Sequence, residues 1–202
     1  KAGKSVALVS DAGMPGICDP GENIVGQAKS QGIEVICIPG ACAAITALVT
    51  SGLPSSKFIF QGFLPKKPSE RRERLLAISR YENTTIIFES PHRLKKLLKE
   101  LKEYCGGDRE IRVSRELTKR FEQHVGDNVY EVIDFFKEKE VIGEITVVIN
   151  GINKSNNNLE FDSFELKKDL NDLIKAGLTL SAASKYLAKK NNLPKSTIYN
   201  LH

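Results

Sequence analysis

The 202-residue chain contains no Trp, one Met, three His and four Cys. The cysteines (Cys18, Cys37, Cys42 and Cys105) form no Cys-x-x-Cys pair, and three histidines supply no zinc-ligand spacing, so no metal is expected. No apolar run approaches the roughly 18 residues of a membrane-spanning helix, and no secretion signal is visible. A large, Cys-poor chain of this kind reads as cytoplasmic, with reduced thiols and no membrane partner. The loop 10–16 lacks Gly-x-Gly-x-x-Gly, so a dinucleotide site there is poorly supported, and it lacks Gly-x-x-x-x-Gly-Lys-Ser/Thr, so a P-loop there is excluded. The 5 Tyr and 9 Phe are too few for base stacking to dominate any contact with nucleic acid.

What is present is a composition of 41% hydrophobic and 27% charged residues, ordinary for a globular protein and enough for one large domain or two small ones. Lys plus Arg number 30 against 25 acidic residues, and the excess is local. Residues 66–102 hold 11 basic and 5 acidic residues, and residues 163–202 hold 7 and 3, so the remainder is net acidic. Basic fields attract polyanions, most commonly nucleic acid; the plain alternative is solvated helix faces. The chain opens Lys1-Ala2-Gly3-Lys4 and runs directly into an apolar stretch. The plain reading is a trimmed domain, and the sharper one a fragment whose upstream part is absent.

Residues 6–9 (Val-Ala-Leu-Val) read as a buried strand ending in a glycine-bearing loop. Asp19-Pro20-Gly21-Glu22 reads as a helix start capped by Asp19, with Gly32 at its stop. Residues 33–38 read as a second buried strand, followed by a small-residue helix over 41–51. This strand–helix–strand–helix order implies a parallel sheet, with ligands beyond the carboxyl ends of its strands. The loops 10–18 and 39–42 are therefore the first candidate site. A second α/β unit follows: strands at 58–62, 84–88, 111–114 and 144–150, and helices over 69–81, from Ser90-Pro91 through Leu101, and around Val129 to Phe136 with Asp127 as cap. A polar stretch at 153–158 leads into helices near 163–176, 180–190 and 195 onward, which read equally as a helix-turn-helix or a simple packing unit.

By itself the loop Ser10-Asp11-Ala12-Gly13-Met14-Pro15-Gly16 is a tight turn whose glycines allow close backbone approach and whose Asp11 can accept hydrogen bonds. Six motifs then occur in order: SDAGMPGICDPG (10–21), PGACAAITAL (39–48), SGLP (51–54), GFLP (62–65), FESPHRL (88–94) and RELTK (115–119). Together they closely resemble the ribosomal RNA small-subunit methyltransferase I family, a branch of the tetrapyrrole methylases. The resemblance implies an α/β fold of two domains, the class III (tetrapyrrole methylase-like) methyltransferase fold, with domains at 1–54 and 55–152 and a small helical domain at 159–202. It implies that the first domain is incomplete, because the family's leading strand and GTPIGN loop are absent here. It implies S-adenosyl-L-methionine as cofactor, and a homodimer that methylates a cytidine ribose 2′-hydroxyl in the decoding region of 16S rRNA within the small ribosomal subunit. The alternatives are a methylase of tetrapyrroles and a truncated, non-catalytic RNA-binding fragment.

Matching motifs carry over the cofactor-binding candidates Asp11, Gly13, Met14, Cys42, Ala43, Phe88, Glu89, Ser114, Gly143 and Glu144. The family has Thr where Met14 stands, often Ser at Cys18, and Lys or Arg where Ile142 precedes Gly143-Glu144. Catalytic candidates are Glu89 and Glu116 as bases, with Arg115 and Lys119 favouring the deprotonated hydroxyl. Each has a structural alternative: a helix-capping carboxylate at Glu89, and an Arg115–Glu116 ion pair. Lys66, Lys67, Arg71, Arg72, Arg74, Arg93, Lys95 and Lys96 are candidate RNA-phosphate contacts.

Overall fold

The computed structural model describes residues 3–152, 163–191 and 193–201. Residues 1–152 and 153–202 are separate compact units.

The first unit is built on a mixed five-stranded sheet in the order β1-β2-β5-β3-β4. Its strands are β1 (Phe58–Phe63), β2 (Thr84–Glu89), β3 (Ile111–Arg115), β4 (Gln123–Val125) and β5 (Ile145–Ile149). Only β1 and β2 run parallel; β5 is antiparallel to both β2 and β3, and β3 to β4. All five residues of β5 are buried, as a central strand covered on both faces requires. Alternate side chains serve opposite faces. Ile87, Val113, Ile145 and Val147 join the core formed with α3 (Pro68–Arg80), α4 (Pro91–Cys105) and α5 (Val129–Phe136). Ile86 and Val148 face the other way, onto Ala44, Ala47 and Leu48 of α2 (Ala43–Ser51). The heptad-like leucines 94, 97, 98 and 101 of α4 are all buried. Gly52, at φ 71°, takes the left-handed conformation that ends α2.

Three sequence expectations need correction. Residues 6–9 and 33–38 belong to no strand; Val6 and Val9 are 84% and 82% exposed. Apolar β-branched runs become strands only when neighbours take up their backbone groups, and no described residue ladders with either run. The helix between them, α1 (Glu22–Ser30), starts at Glu22 with Gly21 as N-cap and buries none of its residues. Asp19 does not cap it, accepting instead from the Ser10 hydroxyl. Finally, α5 is capped by Asn128, whose side chain accepts from the Glu131 N–H at 3.0 Å, rather than by Asp127, which pairs with Arg112.

The second unit contains α6 (Ser163–Lys175), α7 (Leu180–Asn191) and α8 (Lys195–Tyr199). They share a small core of Leu166, Leu170, Ala183, Leu187 and Ile198.

Candidate active-site cleft

A cavity of about 580 Å³ lies in the first unit, within the range of small-molecule sites. The two glycine-bearing loops converge there, contributing residues 11–14, 17–19 and 41–43. The opposing wall comes from Phe63 of β1, Phe88 and Glu89 at the end of β2, the turn 117–119 after β3, and 143–146 at the start of β5. Thus Asp11, Gly13, Met14, Cys42, Ala43, Phe88, Glu89, Gly143, Glu144 and Lys119 all line one space. Asp19, Thr46, Phe63, Leu117 and Thr146 line it too and were not singled out from the sequence. Asp19 had a competing reading as a helix cap, and the position of Thr46 depends on how α2 docks on the sheet.

Ser114, Arg115 and Glu116 do not line the cavity. Ser114 is buried, with its hydroxyl 3.1 Å from His124 Nδ1. Arg115 is occupied by Gln123 Oε1 at 3.2 Å and the Ile142 carbonyl at 3.1 Å. Glu116 stands just behind the wall, where its Oε1 accepts the Glu144 N–H at 2.8 Å and the Lys119 ammonium at 3.0 Å. The Glu144 N–H and the Lys119 ammonium together hold the Glu116 carboxyl below the usual carboxylate range.

Glu89 is buried at the cavity floor with both oxygens engaged. Oε1 accepts the Ser90 N–H at 2.8 Å and lies 3.3 Å from Arg93 Nε, while Oε2 lies 3.4 Å from Arg71 Nη2. Arg71, 3% exposed, also grips Glu100 at 2.7 Å. A charge removed from water must be paired, and this cluster pairs it. The burial corrects the expectation that Arg71 joins a surface basic cluster. Lys66, Lys67, Arg72, Arg74, Lys95 and Lys96 are exposed, and Arg93 is partly buried, bonding the Leu64 carbonyl at 2.9 Å. No group of His, Cys, Asp and Glu able to hold a metal occurs among the described residues, and none of their helices is long and apolar enough to cross a membrane.

This architecture is that of the tetrapyrrole methylases: residues 1–133 match the family Tetrapyrrole (Corrin/Porphyrin) Methylases. The crystal structure of the methyltransferase CobJ superposes with a TM-score of 0.51 at 19% identity, over 69% of this chain and 62% of that one, a likeness of fold alone. Within that class, the chain belongs to the ribosomal RNA small subunit methyltransferase I family. It is 41% identical to the protein of that name from Synechocystis sp. over 100% of this chain and 72% of the relative. The Bacillus subtilis protein is 39% identical over 100% of this chain and 70% of its own length, and the Thermotoga maritima protein 48% identical over 75% and 67%.

Proposed function

We propose that the cleft binds S-adenosyl-L-methionine and directs its methyl group to a cytidine ribose 2′-hydroxyl of 16S rRNA in the small ribosomal subunit. The observation that carries this reading is the convergence of both glycine-bearing loops and the β2, β3 and β5 strand ends on one cavity. Residues 1–54 and 55–152 act as its two lobes, and the protein works in the cytoplasm as a homodimer.

The residues present suit the cofactor. Met14, Phe63, Phe88 and Leu117 give the cavity an apolar wall, while Asp11 and Asp19 offer carboxylates to hydroxyls or an amine. Gly13, at φ 74°, takes a turn that L side chains rarely adopt and brings the loop backbone against the ligand. When bound, S-adenosylmethionine supplies an electrophilic methyl on a positive sulfur. That methyl would pass to the hydroxyl oxygen as the methyl–sulfur bond breaks and the hydroxyl proton leaves to solvent, and holding the two reactants together would contribute roughly 7–11 kcal/mol. Glu89, its oxygens taken by two guanidinium groups and a backbone N–H, fixes the floor rather than accepting a proton. Lys119 faces the cavity from the RNA side. The exposed Lys66, Lys67, Arg72, Arg74, Lys95 and Lys96 meet phosphates, with Arg93 at their margin. Affinity for the subunit should therefore fall steeply with salt.

The test is methylation of purified small subunits with ribose-methylation mapping of the product. The absence of any 2′-O-methyl nucleotide would refute the reading. Asp11→Ala should abolish cofactor binding measured by calorimetry.

A further inference from the structure

The turn after β3 is built in an unusual way. Glu116 and Thr118, neither of them glycine, both have positive φ, 51° and 64°. Such conformations persist where surrounding contacts impose them, and they concentrate at functional sites. Here the contacts are specific. Glu116 N–H donates to the Glu144 carbonyl at 2.9 Å, continuing the β3–β5 ladder, and its carboxylate returns to the Glu144 N–H. Thr118 N–H donates to Glu122 Oε2 at 2.7 Å, and Glu122 is itself bonded to His124. A Cβ at residue 143 would lie 2.5 Å from the Glu116 Cγ and Cδ, so the side chain fits only because Gly143 has none. The product of this packing is one ammonium at the cavity wall: Lys119 Nζ lies 3.0 Å from Glu116 and 3.2 Å from Glu144.

We propose that Glu116 is a positioning residue which, with Glu144 and the space left by Gly143, fixes the Lys119 ammonium at the cleft, where Lys119 offsets negative charge on the attacking RNA hydroxyl. The role of Lys119 rests on the methyltransferase reading; the anchoring of Lys119 does not. Hydrogen bonds from Lys119 to Glu116 and Glu144 raise its pKa above the usual lysine value, so it is a fixed cation and not a base. The other charged groups around it are Arg115, against Glu116, and Asp11, Asp19 and Glu89, which share the cavity lining.

Glu116→Gln keeps an oxygen for the Glu144 N–H and removes only the charge, so the turn should survive; circular dichroism and melting check this. Without RNA or cofactor, acetylation of Lys119 by acetic anhydride at constant alkaline pH, read by peptide mass spectrometry against Lys66 and Lys95, should accelerate about threefold or more in Glu116→Gln, because more of the amine is neutral. Gly143→Ala should do the same by displacing the carboxylate. Unchanged labelling in both variants overturns the anchoring. In methyl transfer, Glu116→Gln should lower kcat about tenfold with KM for the subunit and Kd for S-adenosylmethionine within about twofold. Lys119→Arg should retain more activity than Lys119→Gln, and wild-type kcat in Lys119→Gln overturns the role given to the ammonium. A wild-type protein that binds no cofactor and methylates nothing rejects the functional reading instead, and the labelling result still decides the anchoring.

Discussion

Residues 6–9 and 145–149 both read as short, largely apolar runs rich in valine, yet they have opposite fates. Val147 and Val148 are fully buried at the centre of the sheet, whereas Val6 and Val9 stand largely in solvent. The difference is not in the residues. Residues 145–149 have β2 and β3 on either side and helices over both faces, while the stretch 3–42 buries no side chain and ladders with nothing described. Strand character is thus conferred by neighbours, and the same apolar residues contribute stability in one place and none in the other.

Substitutions should widen or erase this contrast. The largest effect is expected from Glu89→Ala, which strands the buried Arg71 beside a single remaining partner; breaking such a pair costs about 3–5 kcal/mol, measured by urea unfolding. Leu101→Ala, at a fully buried position of α4, should cost about 2–5 kcal/mol in the same assay. Asn128→Ala removes the α5 cap and should cost about 1 kcal/mol. Val9→Thr, at the exposed end of the comparison, should stay within about 0.5 kcal/mol. A Val9→Thr cost matching that of Leu101→Ala would break the contrast outright. Amide hydrogen exchange sharpens it: residues 145–149 should be protected to near the global unfolding limit, and residues 6–9 and 34–38 should exchange freely.

The same contrast separates what was legible in the sequence from what was not. α4 was readable because Leu94, Leu97, Leu98 and Leu101 repeat at helical spacing, and β2 because Thr84 to Phe88 is dense in β-branched residues. The three-residue β4 carries no periodicity, and its strand state comes from Val113, Ser114 and Arg115 opposite it. Arg71 sits in a charged segment that promises solvent; only the tertiary placement of Glu89 and Glu100 draws it inside. In the cleft, the glycine-bearing loops were visible as punctuation after apolar runs. The Glu116–Gly143 contact was not, because it joins residues 27 apart through positive-φ backbone at non-glycine positions that no local pattern marks.

One feature of the sheet bears on how the protein behaves at high concentration. Its two outer strands, β1 and β4, have no strand on their outer sides among the described residues, and each is blunted differently. β4 stops after three residues. β1 breaks its register between Phe60 and Gly62, and there Gly62, at φ 60°, lies so close to Cys18 that an added Cβ would meet the sulfur at 2.9 Å. A flat, continuous border would invite sheets to add end to end; a kinked one and a truncated one discourage it. Straightening the kink, by filling position 62 with a β-branched residue, is where self-association into fibrils should begin.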